Sequence, residues 1–497
     1  MEFFGQTLSA GSAVFLLLAL LLALTFEFVN GFHDTANAVA TVIYTHTWKP
    51  AVAVVWSGCW NLIGVLASSG AVAFGVVALL PTEVVLDIGS MAGFATVFAL
   101  LLSAIIWNLG TWYFGLPASS SHTLVGAILG VGLGNSMFSG ATFSEGVNWT
   151  KAGEVGLSLL ISPLVGFVCA ALLLLVSKAI LKKPELYRAP TTGQPPPLWI
   201  RGLLILTCTG VSYAHGSNDG QKGMGLIMLI LIGILPVSFA INLNTPPETI
   251  ARIAAESRTI SGEFARYAPV TDGIPAPKFA SDELSRFLKA GNQSTESTYA
   301  ALDLKCQNIS DKFANKTRLD ELTPDNRRAL RSDLYLTSEA LAKLIRLKQL
   351  PPSIKEQDAR KLQVQFDSVT KFIPAWIKVA VAIALGLGTM VGWKRIVVTV
   401  GERIGKEHLT YAQGAAAELV AMTTILAADQ LGLPVSTTHV LSSGVAGTML
   451  ANRSGLQMGT MRNLLLAWVL TLPVCVLMGA GIFAFGLNLL LRFGARW

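Results

Sequence analysis

Gly115-Leu116-Pro117-Ala118-Ser119-Ser120-Ser121-His122 decides the fold, because a second copy stands at Gly432-Leu433-Pro434-Val435-Ser436-Thr437-Thr438-His439. The two copies lie 317 residues apart, and both are inside apolar sequence. A cluster of hydroxyls after a Gly-Leu-Pro break is costly in hydrocarbon, since its polar groups find no water to bond there. Two matching copies therefore predict an internal duplication built around a polar site between two membrane halves.

The composition is typical of a protein that crosses the membrane many times. Of the 497 residues, 52% are hydrophobic and 13% are charged. Apolar stretches of about 18 residues or more recur along the chain. The net charge of +7 is explained by basic loops between spans rather than by nucleic-acid binding. The five cysteines have no close CxxC spacing, which argues against a disulfide framework or a zinc site.

One segment, 246–370, has a different composition from the rest. It holds 36 of the chain's 67 Asp, Glu, Lys and Arg residues, and 335–349 has helical apolar spacing. We therefore predict a soluble helical insert. The domain organisation predicted from this contrast is a first membrane repeat at 1–198, the start of a second at 199–245, the insert at 246–370 and the remainder of the second repeat at 371–497.

The basic loops predict the orientation of the chain. The positive-inside rule places the short loops around Lys182, Lys394 and Arg453 in the cytoplasm. Counting spans from these loops puts both termini and the 246–370 insert on the extracytoplasmic side, with about ten segments in total. The two halves then run in opposite directions. The predicted fold is an all-α polytopic membrane protein with two inverted-topology repeats of about five membrane segments each, and with broken helices or hairpins at the midplane.

A second pair of motifs supports the duplication. Residues 30–38 read NGFHDTANA and residues 215–223 read HGSNDGQKG; Gly31 matches Gly216 and Asp34 matches Asp219, at an offset of 185. Helical spacing places two polar stripes on one face each: Glu27, Asn30, Asp34, Asn37 and Thr41 in the first half, and Ser212, His215, Asp219 and Lys222 in the second. Charges facing lipid are expensive, so each stripe is expected to face a protein-lined cavity, where Lys222 can pair with Asp219 or with another acid.

These groups suit the binding of an oxyanion. A helix N-terminus offers free N–H groups and the positive end of the helix dipole, and the hydroxyls after Pro117 and Pro434 are expected to cap the helices that follow. The predicted substrate-binding residues are Ser119, Ser120, Ser121, Thr123, Ser436, Thr437, Thr438, Asn37 and Gln221. The residues predicted to carry a coupling cation or proton are Asp34, Asp219, Asn218, Glu418, His122 and His439. The identity of any metal stays open.

Three other interpretations compete with this one. Serine and threonine in membrane helices often serve only as interhelical glue. An intramembrane hydrolase could use His, Asp and Ser, but the symmetric duplication is not needed for catalysis, and no HExxH or GxSxG motif is present. A passive channel would use the same polar groups without accumulating its substrate.

The four motifs, in this order, resemble the PiT family of inorganic phosphate transporters. The resemblance covers essentially all of the chain except 246–370. It implies symport of phosphate in a bacterial inner membrane, coupled to protons, with the phosphate carried as a neutral complex with a divalent metal such as Mg. It implies no bound cofactor and no enzymatic activity. The family's aspartates correspond to Asp34 and Asp219, and its hydroxyl–histidine elements to the two GLP motifs.

Two alternatives within that resemblance stay open. Sodium-coupled relatives have an acidic residue where this sequence has Asn61, which disfavours sodium. A sulfate permease is the other alternative, and phosphate is favoured over sulfate because it can donate a hydrogen bond to an Asp at neutral pH. The expected partners are inorganic phosphate, the coupling cation and the lipid bilayer; a homo-oligomer is also possible, and nucleic acid is not expected.

Overall fold

The structure, a computed structural model, describes residues 2–34, 36–80, 90–140, 142, 146–190, 195–268, 277–289 and 293–493, without the side chains of 36, 37, 277 and 493. Over this range the chain is almost wholly helical. The strands found there are β1 (Glu2–Phe3) and β2 (Gln6–Thr7), which form a short antiparallel hairpin. The predicted all-α class is confirmed.

The first half consists of helices separated at the predicted breaks. They are α1 (Ala10–Asp34), α2 (Ala36–Tyr44), α3 (Pro50–Ala67), α4 (Ala71–Val77), α5 (Met91–Tyr113), α6 (Ser120–Ser139) and α7 (Trp149–Ile180). A 3₁₀ turn follows at Pro184–Leu186. Helix α6 begins inside the first GLP motif, directly after Ser119, as the motif predicts.

The second half repeats this order around the insert. Before the insert come α8 (Leu198–Ile234) and the short α9 (Pro236–Phe239). After it come α15 (Ala375–Thr389), α16 (Lys394–Val398), α17 (Tyr411–Gln430), α18 (Thr437–Asn452) and α19 (Met458–Phe493), with a π-helical turn at Thr399–Arg403. Helix α18 begins inside the second GLP motif, directly after Ser436.

The insert is helical, as its apolar spacing predicts. Its helices are α10 (Pro247–Ala265), α11 (Pro277–Leu288), α12 (Glu296–Phe313), α13 (Pro324–Leu347) and α14 (Glu356–Thr370). The helix predicted over 335–349 is the C-terminal part of α13, which ends at Leu347. Buried apolar side chains such as Phe264, Phe287 and Phe366 form the core. The amphipathic helices thus bury one apolar face each and leave most of their charges in solvent. Lys305 and Asp333 are buried and form an ion pair at 2.6 Å.

The chain forms two compact units. One contains Met228–Phe372 and the N-terminal segment up to Leu16. The other contains the remaining described residues of 17–80, 90–227 and 373–493. All four duplicated motifs lie in this second unit, which is therefore called the membrane unit below.

Within the membrane unit, glycines allow the two halves to pack on each other. Gly31 of α1 lies against the carbonyl of Leu385 in α15, and Gly216 of α8 lies against the carbonyl of Asn61 in α3. A Cβ at either glycine would overlap that oxygen. The two glycines are equivalent by the motif offset, so the same backbone contact occurs twice.

The two helices that start in the GLP motifs also pack on helices of the other half. Helix α6 packs along α19, and α18 packs along α7. Gly130 of α6 lies against the Val476 carbonyl, and Gly447 of α18 lies against the Phe167 carbonyl. In both pairs, a helix of one half packs on a helix of the other half. The sequence duplication is therefore also a duplication of packing.

Five described segments are long and apolar enough to cross a membrane, or up to six if a bent pair counts as one. They are 10–44, 50–67, 91–113, 149–180 and 458–492. This number is lower than the prediction of about ten segments. Helices α15 and α18 are short, at 15 and 16 residues, and the polar motifs lower the hydropathy of α6 and α8. The helices that miss the criterion include α6, α8 and α18, which carry most of the predicted site, whereas Asp34 lies in the segment 10–44, which meets it.

Candidate functional site

The two GLP motifs form the same structure in both halves. Gly115 and Gly432 have positive φ angles of 66° and 65°, which end the preceding helix and favour glycine. The side chain of Ser119 then accepts a hydrogen bond from the His122 N–H at 3.1 Å, and Ser436 accepts one from His439 at 3.1 Å. Both serines are N-caps, which confirms the prediction that the hydroxyl clusters cap the following helices.

The two helix starts lie next to each other. The Ser121 hydroxyl donates to the carbonyl of Val435 at 2.6 Å, which joins the first motif directly to the second. The rings of His122 and His439 have centroids 4.5 Å apart, and His439 stacks on Trp468 at 4.1 Å. The structure thus brings together hydroxyl clusters that are 317 residues apart in the sequence.

Asp34 lies where these helix starts meet. Ser120, in the first turn of α6, donates to its carboxylate at 3.0 Å, and Thr438, in the first turn of α18, donates at 2.5 Å. The ring of His33 lies 3.2 Å from the same carboxylate. Asp34 is 2% exposed. One buried carboxylate therefore accepts hydrogen bonds from both halves of the protein.

Asp219, the equivalent residue of the second half, has a different set of partners. The Lys222 ammonium lies 2.8 Å from Asp219 Oδ2, and the His215 Nε2 lies 3.4 Å from it. The Ser120 hydroxyl is 3.3 Å from the same oxygen, while Asp219 Oδ1 has no hydrogen-bond partner among the described residues. The predicted pairing of Lys222 with Asp219 is confirmed.

The carboxylates of Asp34 and Asp219 form a group of potential cation ligands together with the imidazole of His215. Single ligand atoms of Asp34, His215 and Asp219 all lie within 4.8 Å of one another. The other ring nitrogen of His215 is 2.6 Å from the Asn61 side-chain oxygen, which fixes the orientation of the imidazole. Two carboxylates and one imidazole are a donor set that can hold a divalent cation.

A second polar network, which includes Gln221, surrounds Asp429. The Gln221 amide donates to Asp429 at 2.5 Å and the Ser217 hydroxyl donates to it at 2.7 Å. Asn218 lies beside it and donates to the Leu433 carbonyl at 3.2 Å. Sequence reasoning missed Asp429. The available signal was an acid inside the apolar run 412–431, the same signal that identified Glu418.

The remaining predicted residues have other partners. Thr123 donates to the Ser119 carbonyl within its own helix at 2.9 Å, and Thr437 is buried in the first turn of α18. Glu418 accepts hydrogen bonds from Thr41 and Thr207 and shares no contact with the Asp34 cluster among the described interactions. The side chain of Asn37 lies outside the described residues.

One polar pair on α1 is buried without satisfied hydrogen bonds. Both carboxylate oxygens of Glu27 and both amide atoms of Asn30 lack a partner of good geometry in the described part of the chain. Glu27 packs against the backbone of Gly223, next to Lys222. The predicted stripe therefore faces protein at Glu27, Asn30, Asp34 and Thr41, all of which are buried.

Comparisons with known proteins identify the family of the chain. Residues 30–479 match the family described as "Phosphate transporter family". The chain is 41% identical over 509 residues to "Low-affinity inorganic phosphate transporter PitA" of Escherichia coli (strain K12), an alignment that covers 98% of this chain and 99% of that protein. It is 28% identical over 466 residues to "Probable low-affinity inorganic phosphate transporter" of Bacillus subtilis (strain 168), covering 93% and 95%.

A solved structure shares the fold. It is titled "The sodium-dependent phosphate transporter" and superposes with a TM-score of 0.51 at 20% identity, covering 96% of this chain and 99% of that one. At this identity the similarity concerns the fold and not the coupling ion.

Proposed function

This chain belongs to the phosphate transporter family, as a multi-pass membrane protein, and from that premise we propose that it is a secondary active symporter that imports inorganic phosphate with protons by alternating access. The observation that carries the proposal is the position of Asp34, whose carboxylate accepts hydrogen bonds from Ser120 and Thr438. These two hydroxyls open two equivalent helices of opposite halves. A single small ligand can therefore contact both halves at once, which alternating access requires.

The helix starts supply the groups that bind the oxyanion. Ser120 and Thr438 donate to Asp34 in the structure, and the same hydroxyls can donate to the oxygens of a bound phosphate. The N-terminal N–H groups of α6 and α18 add donors and the positive ends of two helix dipoles. Ser121 and Thr123 instead donate to backbone carbonyls, so we assign them to holding the two helix starts in place.

Charge balance supports co-transport of a cation. Asp34, Asp219 and Lys222 together carry one net negative charge when the nearby histidines are neutral. A buried pocket of that charge repels an oxyanion, unless a cation or a proton enters with it. A neutral metal–phosphate complex meets this condition, with the metal as cargo near Asp34, His215 and Asp219. Mg²⁺ fits the two carboxylates, provided that it keeps several of its waters.

The proton is the coupling ion that these residues suit best. Asp34 lies 3.2 Å from His33 Nδ1 and 3.8 Å from His215 Nε2, and all three groups can gain or lose a proton. Asn61 holds His215 and brings no charge for a sodium ion. We assign Glu418, which is buried between two threonine hydroxyls, to a separate proton site.

The proposed location follows the positive-inside argument. We place the protein in the bacterial inner membrane, with both termini and the 246–370 insert on the extracytoplasmic side.

The experiment that tests the function is phosphate flux in proteoliposomes with one ion gradient imposed at a time. Uptake should follow an inward proton gradient and should continue without sodium. Uptake driven by sodium alone would refute proton coupling. Unlabelled sulfate should not compete with labelled phosphate, and the transported phosphate should be chemically unchanged; sulfate competition would favour the sulfate permease, and a changed product would favour a hydrolase.

A further inference from the structure

A cavity of about 560 Å³ lies where the end of α5 meets the start of α16. Ten described residues line it, and none of these ten is acidic. Three carry a positive charge and four are aromatic: Lys394, Arg395 and Arg403, and Trp112, Tyr113, Phe114 and Trp393. None of these side chains belongs to the substrate site described above.

The wall of this cavity is preorganised. The Arg395 guanidinium donates to the Tyr113 carbonyl at 2.7 Å and lies 5.2 Å and 4.9 Å from the ring centroids of Trp112 and Tyr113. The Trp112 indole donates to the Gly392 carbonyl at 2.7 Å. These contacts hold Arg395 in one orientation before any ligand binds.

The other two cations are available to an anion. Lys394 and Arg403 are exposed, and neither forms a salt bridge within the part of the chain that the structure describes. The carboxylate next in sequence, Glu402, interacts with the hydroxyl of Tyr44. The cavity is therefore strongly positive.

The equivalent place in the other half shows that the fold does not require these residues. Gly115 packs on the carbonyl of Arg395, and its counterpart Gly432 packs on the carbonyl of Ala71. Ser68 to Ala71 there replace the run from Gly392 to Arg395, and Asp429 replaces Trp112. The segment from Gly392 to Arg395 thus carries its own cations and aromatic rings, on the side that the positive-inside rule makes cytoplasmic. At the other place the segment has none, and the cation near it is Lys378 of α15, which donates to the Ser68 carbonyl at 2.7 Å.

We propose that this cavity binds the phosphodiester headgroup of an anionic phospholipid of the cytoplasmic leaflet. Guanidinium and ammonium groups pair with phosphate oxygens, and basic pockets between membrane helices on the cytoplasmic side suit such headgroups. Tyr113 and Phe114 are 60% and 74% exposed beside the cavity, as aromatic rings are at the membrane interface. A soluble anion would not need these exposed apolar rings.

The bound headgroup would also act on the substrate motif. The Thr399 hydroxyl donates to the Gly115 carbonyl at 2.8 Å, so the segment that carries the cations is tied to the break before α6. Holding this segment would steady the position of Ser120.

Lipid binding is tested by native mass spectrometry of the purified protein with phosphatidylglycerol or phosphatidylcholine added. Wild type should retain phosphatidylglycerol preferentially. Lys394→Gln with Arg403→Gln should weaken that retention by about fivefold for each cation removed. The matched control is Lys182→Gln, which removes an exposed cation from another basic loop and should have no effect. The charge-conserving pair Lys394→Arg with Arg403→Lys should keep the preference.

Two results would overturn the proposal. Equal retention of both lipids by wild type would remove the preference for an anionic headgroup. Displacement of phosphatidylglycerol by added inorganic phosphate would assign the cavity to a soluble anion. Because the measurement is one of binding, it does not depend on whether the proposed transport function is right.

Discussion

The two halves of the membrane unit share their packing but not their charges. Gly31 and Gly216 make the same backbone contact, and Ser119 and Ser436 cap their helices with the same hydrogen bond. Asp34 and Asp219 hold equivalent positions, yet their partners differ. Asp219 is paired with the cation of Lys222, whereas Asp34 accepts from the hydroxyls of Ser120 and Thr438 and lies beside the His33 ring. Duplication has kept the scaffold symmetric, while the chemistry is divided between the halves.

The largest loss of phosphate uptake is expected from Asp34→Asn. The change keeps the shape but removes the charge that both halves share, so concentrative phosphate uptake should fall roughly 100-fold or more. Uptake into proteoliposomes with matched protein content measures it. The control is Asp311→Asn, an exposed acid of the insert, which should behave as wild type. Normal uptake by Asp34→Asn would remove the residue from the mechanism.

The second prediction concerns the ion pair between Lys222 and Asp219, which has no equivalent at Asp34 within the described range of the chain. Lys222→Gln leaves Asp219 buried without its cation, so uptake should also fall by roughly 100-fold. In the double variant Asp219→Asn with Lys222→Gln neither member of this ion pair keeps a buried charge without its partner, and uptake should recover by about tenfold over Lys222→Gln alone. Losses that simply add in this double-mutant cycle would show that the two residues act independently.

A smaller effect is expected from the paired glycines. Gly31→Ala and Gly216→Ala each force a Cβ into a neighbouring carbonyl, and overpacking of this kind costs about 1–3 kcal/mol. The midpoint of thermal unfolding in detergent should therefore fall by similar amounts for both. Gly110→Ala is the matched control, because open space surrounds that position and the added methyl favours the helix. If the unfolding midpoint fell for only one of the two variants, the packing around the two glycines would not be equivalent.

The smallest effect concerns the two helix caps. Ser119→Ala and Ser436→Ala each lose one N-cap hydrogen bond, which costs about 1 kcal/mol. Equal falls in the unfolding midpoint are expected, whereas Ser139→Ala, on an exposed hydroxyl at the end of α6, should change it little. Unequal losses at the two caps would show that one helix start is held by other contacts.

Features set by neighbouring residues could be predicted from the sequence. The caps at Ser119 and Ser436 follow from the Gly-Leu-Pro break, and the Lys222–Asp219 pair follows from the i, i+3 spacing of a helix. The duplication, and with it the meeting of the two hydroxyl clusters, follows from the repeated motif.

Contacts between distant segments could not be predicted in detail. Thr438 and Asp34 are 404 residues apart, and their hydrogen bond depends on the packing of helices from both halves. Asp429 was missed because its partners, Ser217 and Gln221, lie on another helix. The hydropathy test finds fewer spans than the predicted number of about ten, because several helices that build the site are too short or too polar to pass it.

The proposed mechanism requires one pocket in which both halves contact phosphate. A cryo-EM map of the protein in saturating phosphate tests this most directly. We expect phosphate density in contact with the hydroxyls of Ser120 and Thr438 at the same time. Density held by one half alone, or the two hydroxyl clusters apart and facing lipid, would contradict it.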